Sequence, residues 1–176
     1  MEGEKFENPY IDRLVGIPKE YLDKQQENEH GLATYMEKKG ARKMEGVEIE
    51  KTTRDIEILK FAEESATAVM QAYGRSKNIQ ISLDHIHVLR VGGTKELTKG
   101  RLEKGSHSST EAGIMIDRVA SDIEFCLIAF HEIIHTKSYT ALQIIGEKGN
   151  RYLKHYRSGF VVNSRDGKES FFNDLD

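Results

Sequence analysis

The stretch that decides the fold occupies residues 121–137 and reads SDIEFCLIAFHEIIHTK. It opens with a serine followed three residues later by a glutamate, the capping-box pair that satisfies free backbone N–H groups at the start of a helix. An apolar run without proline follows over residues 125–130. We therefore predict a buried helix that starts near Asp122 and continues to a stop at Gly146 or Gly149.

Two histidines stand four residues apart inside this predicted helix, and a glutamate directly follows the first, in the order His131, Glu132, Ile133, Ile134, His135. Side chains at i and i+4 share one helical face, so both imidazoles can bind one zinc ion, Zn²⁺, tetrahedrally. Glu132 is turned by about 100° on an ideal helix, beside the metal but not on it. That position suits a general base that takes a proton from a metal-activated water and passes it to a leaving amine.

The alternative interpretation is a pair of ordinary histidines on a partly exposed helix face. Two ionisable rings beside a glutamate in an apolar stretch are costly to bury without a partner such as a metal. The pattern therefore predicts His131 and His135 as metal ligands and Glu132 as the catalytic residue.

Composition excludes several classes of protein. The chain has 176 residues, a mean hydropathy of -0.58 and a net charge of -3 from 26 basic and 29 acidic residues. This describes one well-solvated domain without a field that attracts nucleic acid or a membrane, so neither is an expected partner. A single cysteine, Cys126, excludes an intramolecular disulfide and a Cys-rich zinc site. The first residues lack an apolar signal region, and we expect the protein in the cytoplasm.

Upstream of the helix, the apolar spacing predicts further elements. Spacings of three, four and seven predict an amphipathic helix, and alternation predicts strands. The expected elements are a helix over residues 48–73 with a stop at Gly74, a strand over residues 78–91 with a slip near Asp84 and His85, a surface loop over residues 95–109, and a short strand over residues 112–116.

The two ends of the chain differ in character. Residues 1–46 are rich in Glu, Lys, Asn and Gln, and predict a polar N-terminal extension with short, loosely attached helical pieces around residues 19–28 and 32–39. The remaining residues, 47–176, form the predicted domain of α+β class. It ends in a β-hairpin with a strand over residues 156–163, a turn over residues 164–167 and a returning strand over residues 168–172.

The segment from His131 to His135, with its apolar flanks, resembles the active-site helix of the zincin metallopeptidases. The preceding order of helix, strand, loop and short strand is similar to the upper part of the zincin fold, so the resemblance covers about residues 48–145. It implies a long backing helix over residues 48–73 and a small mixed sheet packed on the active-site helix. It also implies that a strand near residues 113–116 borders the cleft and pairs with an extended peptide. Lys137 stands where zincins prefer an apolar residue.

Ser138 and Ala141 exclude the metzincin branch, which has a glycine and a histidine at these places. Residues 156–160, followed by the hairpin and residues 172–176, resemble the minigluzincin-like members of the gluzincin branch. In those proteins a helix after the hairpin supplies a glutamate ligand. The resemblance thus implies an incomplete lower half of the cleft and a third metal ligand beyond Asp176, and a chain without that ligand would be inactive. The candidates within the chain are Glu147, His155, Glu169, Asp174 and Asp176.

Other chemically capable side chains are assigned structural roles. His85 and His87 are two apart on a predicted strand and are interpreted as strand-surface residues rather than a second metal site. His107 falls in the predicted loop. Cys126 is predicted to be a small buried hydrophobe. Surface roles, rather than contact with substrate, are assigned to Tyr139 and Arg157.

These observations predict a zinc metallopeptidase that hydrolyses peptide bonds of a peptide or protein substrate. A non-peptidase amidohydrolase could use the same zinc chemistry. A zincin-like regulatory module with little or no peptidase activity, which binds a partner through residues 1–46, is the alternative from another class. A third is a silent domain with a structural metal, but such a domain has no need of Glu132 and usually has four protein ligands.

Overall fold

The structure, a computed structural model, describes residues 8–73, 79–101, 104–147, 150–158, 161–163 and 169–171, and from residue 157 onward the backbone alone. The chain has a mixed α+β fold. Its helices are α1 (Lys19–Leu22), α2 (Gln25–Gly40), α3 (Thr53–Ala72), α4 (Gly93–Leu97) and α5 (Asp122–Lys137). Its strands are β1 (Arg13–Val15), β2 (Ile86–Leu89), β3 (Gly105–Ser108), β4 (Gly113–Asp117), β5 (Thr140–Ile145), β6 (Tyr152–Ser158), β7 (Val161–Asn163) and β8 (Glu169–Phe171). Of the helices described, none is long and apolar enough to cross a membrane.

A three-stranded sheet in the order β2-β4-β3 forms the upper half of the fold. β4 runs parallel to β2 and antiparallel to β3, with Ile116 opposite Gly105 and Met115 opposite Ser106. The strand predicted near residues 112–116 is thus confirmed. The expectation that it pairs with a peptide is wrong, because neighbouring strands already occupy both of its edges and β3 forms the edge of the sheet.

Helices α3 and α5 pack together against this sheet. Leu59, Ala62 and Ala66 of α3 are fully buried, and they share one core with buried apolar side chains of the strands and of α5. Each fully buried Leu, Ile or Phe contributes about 1.5–3 kcal/mol of transfer free energy. The members from the strands and from α5 are Ile86, Val88, Ile114, Ile116, Phe125, Ala129 and Ile133.

A polar cluster fixes the start of α3. The helix starts later than predicted, at Thr53, because Thr52 and Asp55 form a reciprocal capping box. Arg118 donates from Nε to Asp55 at 2.5 Å and from Nη2 to Asp122 at 2.5 Å, which joins the N-terminal ends of α3 and α5. Gly74, the expected stop, lies outside the described residues, and the helix ends at Ala72.

Helix α5 begins at Asp122, as predicted, and the Ser121 hydroxyl accepts from the backbone N–H of Glu124 at 3.3 Å. The expected continuation to Gly146 or Gly149 is wrong. The helix ends at Lys137, where Ser138 turns to extended backbone, and the apolar residues that follow form β5. The Lys137 ammonium is buried and donates to Glu63 Oε1 at 2.6 Å and to the Ile79 carbonyl. These two acceptors compensate the buried charge of Lys137, which stands where zincins prefer an apolar residue.

A five-stranded sheet in the order β1-β5-β6-β7-β8 forms the other half. The hairpin is confirmed in its outer part, since β7 and β8 pair antiparallel with Asn163 opposite Glu169. The single strand predicted over residues 156–163 is wrong, because β6 and β7 are separate strands that pair antiparallel with each other. β1 joins parallel to β5, so residues before the first helix take part in this sheet.

The short, loosely attached helices predicted within residues 1–46 are replaced by α1 and a continuous α2. Met36 of α2 is fully buried in a second core cluster with Ile11, Ala112 and Leu142. Gly40, at the end of α2, lies against the backbone of Ala112, and an added Cβ would be 2.8 Å from the Ala112 carbonyl oxygen. This segment therefore packs on both sheets through buried contacts.

The assignment of His85 and His87 to a strand surface is wrong, because both are buried. The predicted strand over residues 78–91 shortens to β2, and His85 lies in a 3₁₀ turn just before it. The ring nitrogens of His87 are 3.1 Å from Glu48 Oε2 and 2.6 Å from the Gly40 carbonyl oxygen. His87 thus joins the end of α2 to the sheet as a structural residue.

Candidate metal centre on the fifth helix

His131 and His135 lie one turn apart on α5, and their ring nitrogens meet. The two Nε2 atoms are 3.0 Å apart. The ring planes cross at 81°, with centroids 4.6 Å apart. His131 is exposed and His135 is half-buried. The helical spacing thus brings two imidazole nitrogens to one point at the edge of the helix.

Glu132 points to the buried side of the same turn. The residue is 8% exposed, and its Oε2 atom is 3.8 Å from Nδ1 of His107. The carboxylate is therefore adjacent to the histidines but mostly sheltered from water. In this position it can accept a proton from a group held between the helix and β3.

Strand β3 approaches the helix at Gly105. A Cβ atom at this position would lie 2.8 Å from Glu132 Oε1 and 2.8 Å from Ile128 Cγ2, closer than real Cβ contacts come. The missing side chain thus allows the strand to lie directly on the turn that carries Glu132. Backbone pairing of β3 with β4 holds it there.

The loop predicted over residues 95–109 is wrong at both ends, since it contains most of α4 and all of β3. His107, which we assigned to that loop, lies in β3. Its ring is parallel to that of His135, with an interplanar angle of 3° and centroids 5.0 Å apart. The structure therefore brings three histidines and a glutamate together, where the sequence indicated two histidines and a glutamate. If the strand predicted at residues 112–116 had been interpreted as the second strand of a β-hairpin, the first strand would have placed His107 beside the helix.

The electrostatics of the site favour a neutral His135. Burial lowers the pKa of His135 below 6.5, and the neighbouring rings of His107 and His131 lower the pKa further, against a smaller opposing effect of Glu132. A histidine must be neutral to donate its lone pair to a metal ion. The surroundings of His135 thus keep it in the form that binds metal at neutral pH.

The residues considered as third ligand lie elsewhere. Glu147 is exposed just after β5, and His155 is half-buried in β6 opposite Leu142. Glu169 lies in β8. These three belong to the five-stranded sheet or its connections, not to α5 or the sheet that covers it. Asp174 and Asp176 lie outside the described residues.

The histidine pair fits zinc, although a complete set of ligands is not gathered. In the part of the chain that the structure describes, no three His, Cys, Asp or Glu side chains are grouped so that they could hold a metal ion. Two imidazole nitrogens on one tetrahedral zinc ion are about 3.3 Å apart, for Zn–N bonds of about 2.0–2.1 Å. The observed 3.0 Å between His131 and His135 is close to that separation. The pair can therefore supply two ligands to one ion.

Cys126, Tyr139 and Arg157 are the remaining candidates from the sequence. Cys126 is partly buried against the core, and burial raises the pKa of its thiol. It therefore resembles the small hydrophobe predicted more than a nucleophile. Tyr139 is half-buried just after α5. The side chain of Arg157 lies outside the described part of the structure.

Comparisons of the chain with profiles of protein families, with curated protein sequences and with solved structures find no match. The function is therefore argued from the residues of this chain. The relevant features are the two nitrogens that meet, the sheltered carboxylate beside them and the strand that covers both.

Proposed function

We propose that this protein is a zinc-dependent peptidase with a zincin-like fold. His131 and His135 hold Zn²⁺, and Glu132 is the general base. The observation that carries the proposal is the 3.0 Å separation of the two Nε2 atoms beside the sheltered Glu132 carboxylate. The packing of α3 behind α5 and of a small mixed sheet over it supports the zincin-like assignment.

When bound, zinc polarises a substrate carbonyl and lowers the pKa of a water molecule. The residues of the chain perform the remaining work. His131 and His135 are held one turn apart on a packed helix, which fixes their position before substrate arrives. Glu132 takes a proton from the attacking water as the new C–O bond forms. It then gives that proton to the amine nitrogen as the C–N bond breaks.

The free edge of β3 supports a peptide as substrate rather than a small amide. β3 is the last strand of its sheet as described, and only one of its edges is paired. An extended peptide can add to such an edge through main-chain hydrogen bonds. Because Gly105 lies against Glu132, a peptide on this edge would pass close to the proposed base.

The proposal is tested by Glu132→Gln beside Glu124→Gln, a matched change on the same helix. Glu124 forms a surface ion pair with Lys104, which contributes little to stability. Each protein is supplied with zinc, its metal content is measured, and it is incubated with a mixed library of unstructured peptides that is analysed by mass spectrometry. We expect bound zinc in all three proteins. Cleavage should be similar in the parent and Glu124→Gln, and about 10²–10⁴-fold slower in Glu132→Gln.

Two results would contradict the proposal in different ways. A parent protein that binds no zinc would remove the metal site altogether. A parent that binds zinc but leaves the whole library intact would remove the peptidase activity, and would favour a metal-containing binding module.

A further inference from the structure

His107 is the remaining imidazole at this centre, and neither the motif nor the proposed reaction assigns it a role. We infer that His107 is the third protein ligand of the zinc ion, so that three histidines hold the metal and Glu132 stays free as the base. This inference rests on the proposed zinc site and specifies its composition.

The strand geometry directs His107 towards the helix. Successive side chains on a strand point to opposite faces, so positions 105 and 107 share a face. Gly105 is the position that lies on Glu132 and Ile128. His107 therefore faces α5 as well, and its ring packs beside His135 at a centroid separation of 5.0 Å. Imidazoles that share a tetrahedral zinc ion have centroids about 5 Å apart, as Zn–N bonds of about 2.0–2.1 Å require.

For His107 to bind the ion, its ring would have to turn from the position that it has in the structure. The described donor atoms do not yet form a group of three ligands, and the His107 ring is parallel to that of His135. Rotation about the two side-chain torsions can bring a ring nitrogen towards the point where His131 and His135 meet. The backbone of His107 is held by its pairing with Ile114 in the β3-β4 ladder.

The chemistry of three imidazoles suits a catalytic zinc. Three histidine ligands leave a fourth position open for water or substrate, as in other catalytic zinc sites. Glu132 would then be the carboxylate beside the ion rather than one of its ligands. The other described candidates, Glu147, His155 and Glu169, come from the five-stranded sheet or its connections. His107 packs against His135 of the active-site helix.

The test uses Co²⁺ as a probe in the full chain. In His107→Cys, a thiolate bound to cobalt produces a sulfur-to-metal charge-transfer band in the near ultraviolet. The matched control is Ser106→Cys, which places the thiol on the same strand but on its opposite face. We expect the band in His107→Cys, and its absence in Ser106→Cys and in the parent, which contains Cys126.

A second measurement needs no substitution. In the Co²⁺-loaded parent, each bound imidazole gives one strongly shifted exchangeable ring N–H signal in the proton NMR spectrum, so three signals are expected.

A third measurement compares zinc affinities. The affinity should fall at least 100-fold in His107→Ala, because loss of even an outer partner of a ligand costs about 10–100-fold. Ser106→Ala should keep the affinity of the parent.

The possible outcomes separate this inference from the proposed function. Two shifted signals, no band in His107→Cys and an unchanged zinc affinity in His107→Ala would overturn the role of His107 and leave the zinc peptidase intact. A parent that binds neither Co²⁺ nor Zn²⁺ would overturn both.

Discussion

Gly105 of β3 lies directly against the carboxylate of Glu132 on α5. An added Cβ atom would be 2.8 Å from Glu132 Oε1 and equally close to Ile128 Cγ2. The Glu132 carboxylate could swing away, but the branched methyl group of Ile128 is fixed close to its own backbone. Strand and helix can approach this closely only because position 105 has no side chain.

We therefore expect Gly105→Ala to push β3 away from the helix. The change should lower the free energy of unfolding by about 1–3 kcal/mol, the usual cost of inserting a carbon into a packed site. It should also reduce peptide cleavage, because the strand would no longer lie on the turn that carries Glu132. Urea unfolding and the peptide-library assay measure the two effects.

Gly113→Ala on the neighbouring strand is the control. A Cβ atom there would be 3.5 Å from the backbone of Gly40, an ordinary contact distance. We expect a change in stability within about 1 kcal/mol. Equal losses in the two variants would mean that the approach of Gly105 to Glu132 has no special importance.

The docking of α2 is tested by two glycines in the same helix. A Cβ atom at Gly40 would be 2.8 Å from the carbonyl oxygens of Ala112 and Glu111, whereas one at Gly31 would meet nothing within 4 Å. Gly31→Ala should raise the free energy of unfolding by up to about 1 kcal/mol through helix propensity. Gly40→Ala should lower it by about 1–3 kcal/mol. If both variants were stabilised, the end of α2 would not be held against the sheet.

Asp55 makes stability depend on acid pH. Burial alone would raise the pKa of Asp55, but hydrogen bonds from Thr52 and Arg118 outweigh burial and hold the pKa below 3.8. The native state therefore binds fewer protons than the unfolded state in mild acid. The resulting stabilisation is fully present above the unfolded pKa, near pH 3.8 to 4, and is lost as pH falls through the lower native pKa.

Asp55→Asn should accordingly cost about 1–3 kcal/mol at pH 7, since the capping box and the contact with Arg118 are weakened. The difference from the parent should shrink below about pH 4, where the carboxyl of the parent becomes protonated as well. Urea unfolding at several pH values measures this. Asp84→Asn, at an exposed position, should change the free energy of unfolding little at any pH. If the loss of stability in Asp55→Asn were the same at every pH, the role given to the Asp55 carboxylate would be wrong.

A local pattern in the sequence was sufficient for the start of the helix that carries the motif. The start of α5 follows from Ser121, whose hydroxyl accepts from the backbone N–H of Glu124, because such a cap acts between residues three apart. Its end could not be read in the same way. Leu142 and Ile144 fit a helical spacing as well as an alternating one, and they form a strand because β5 pairs with β1 and β6.

His107, the residue of the site that the sequence did not indicate, is brought to the helix by tertiary contacts. The four residues of β3, Gly-Ser-His-Ser, show no alternation of apolar and polar side chains, so their sequence does not indicate a strand. They form one because β4 supplies backbone partners, and this pairing carries His107 to the helix. His87 was misjudged for a similar reason, since its partners Glu48 and Gly40 lie 39 and 47 residues away.

The parallel pairing of β1 with β5 also bears on the order of folding. Asp12 and Thr140 exchange two hydrogen bonds of 2.8 Å across 128 positions of the chain. Closing so long a loop, and in a parallel register, is slow compared with the local pairing of β3 with β4. During synthesis, residues 13–15 leave the ribosome well before residues 140–145. The backbone groups of β1 therefore cannot form their hydrogen bonds with β5 until those later residues have been made. Of the strands described, the one that is synthesised first is therefore expected to be among the last to pair.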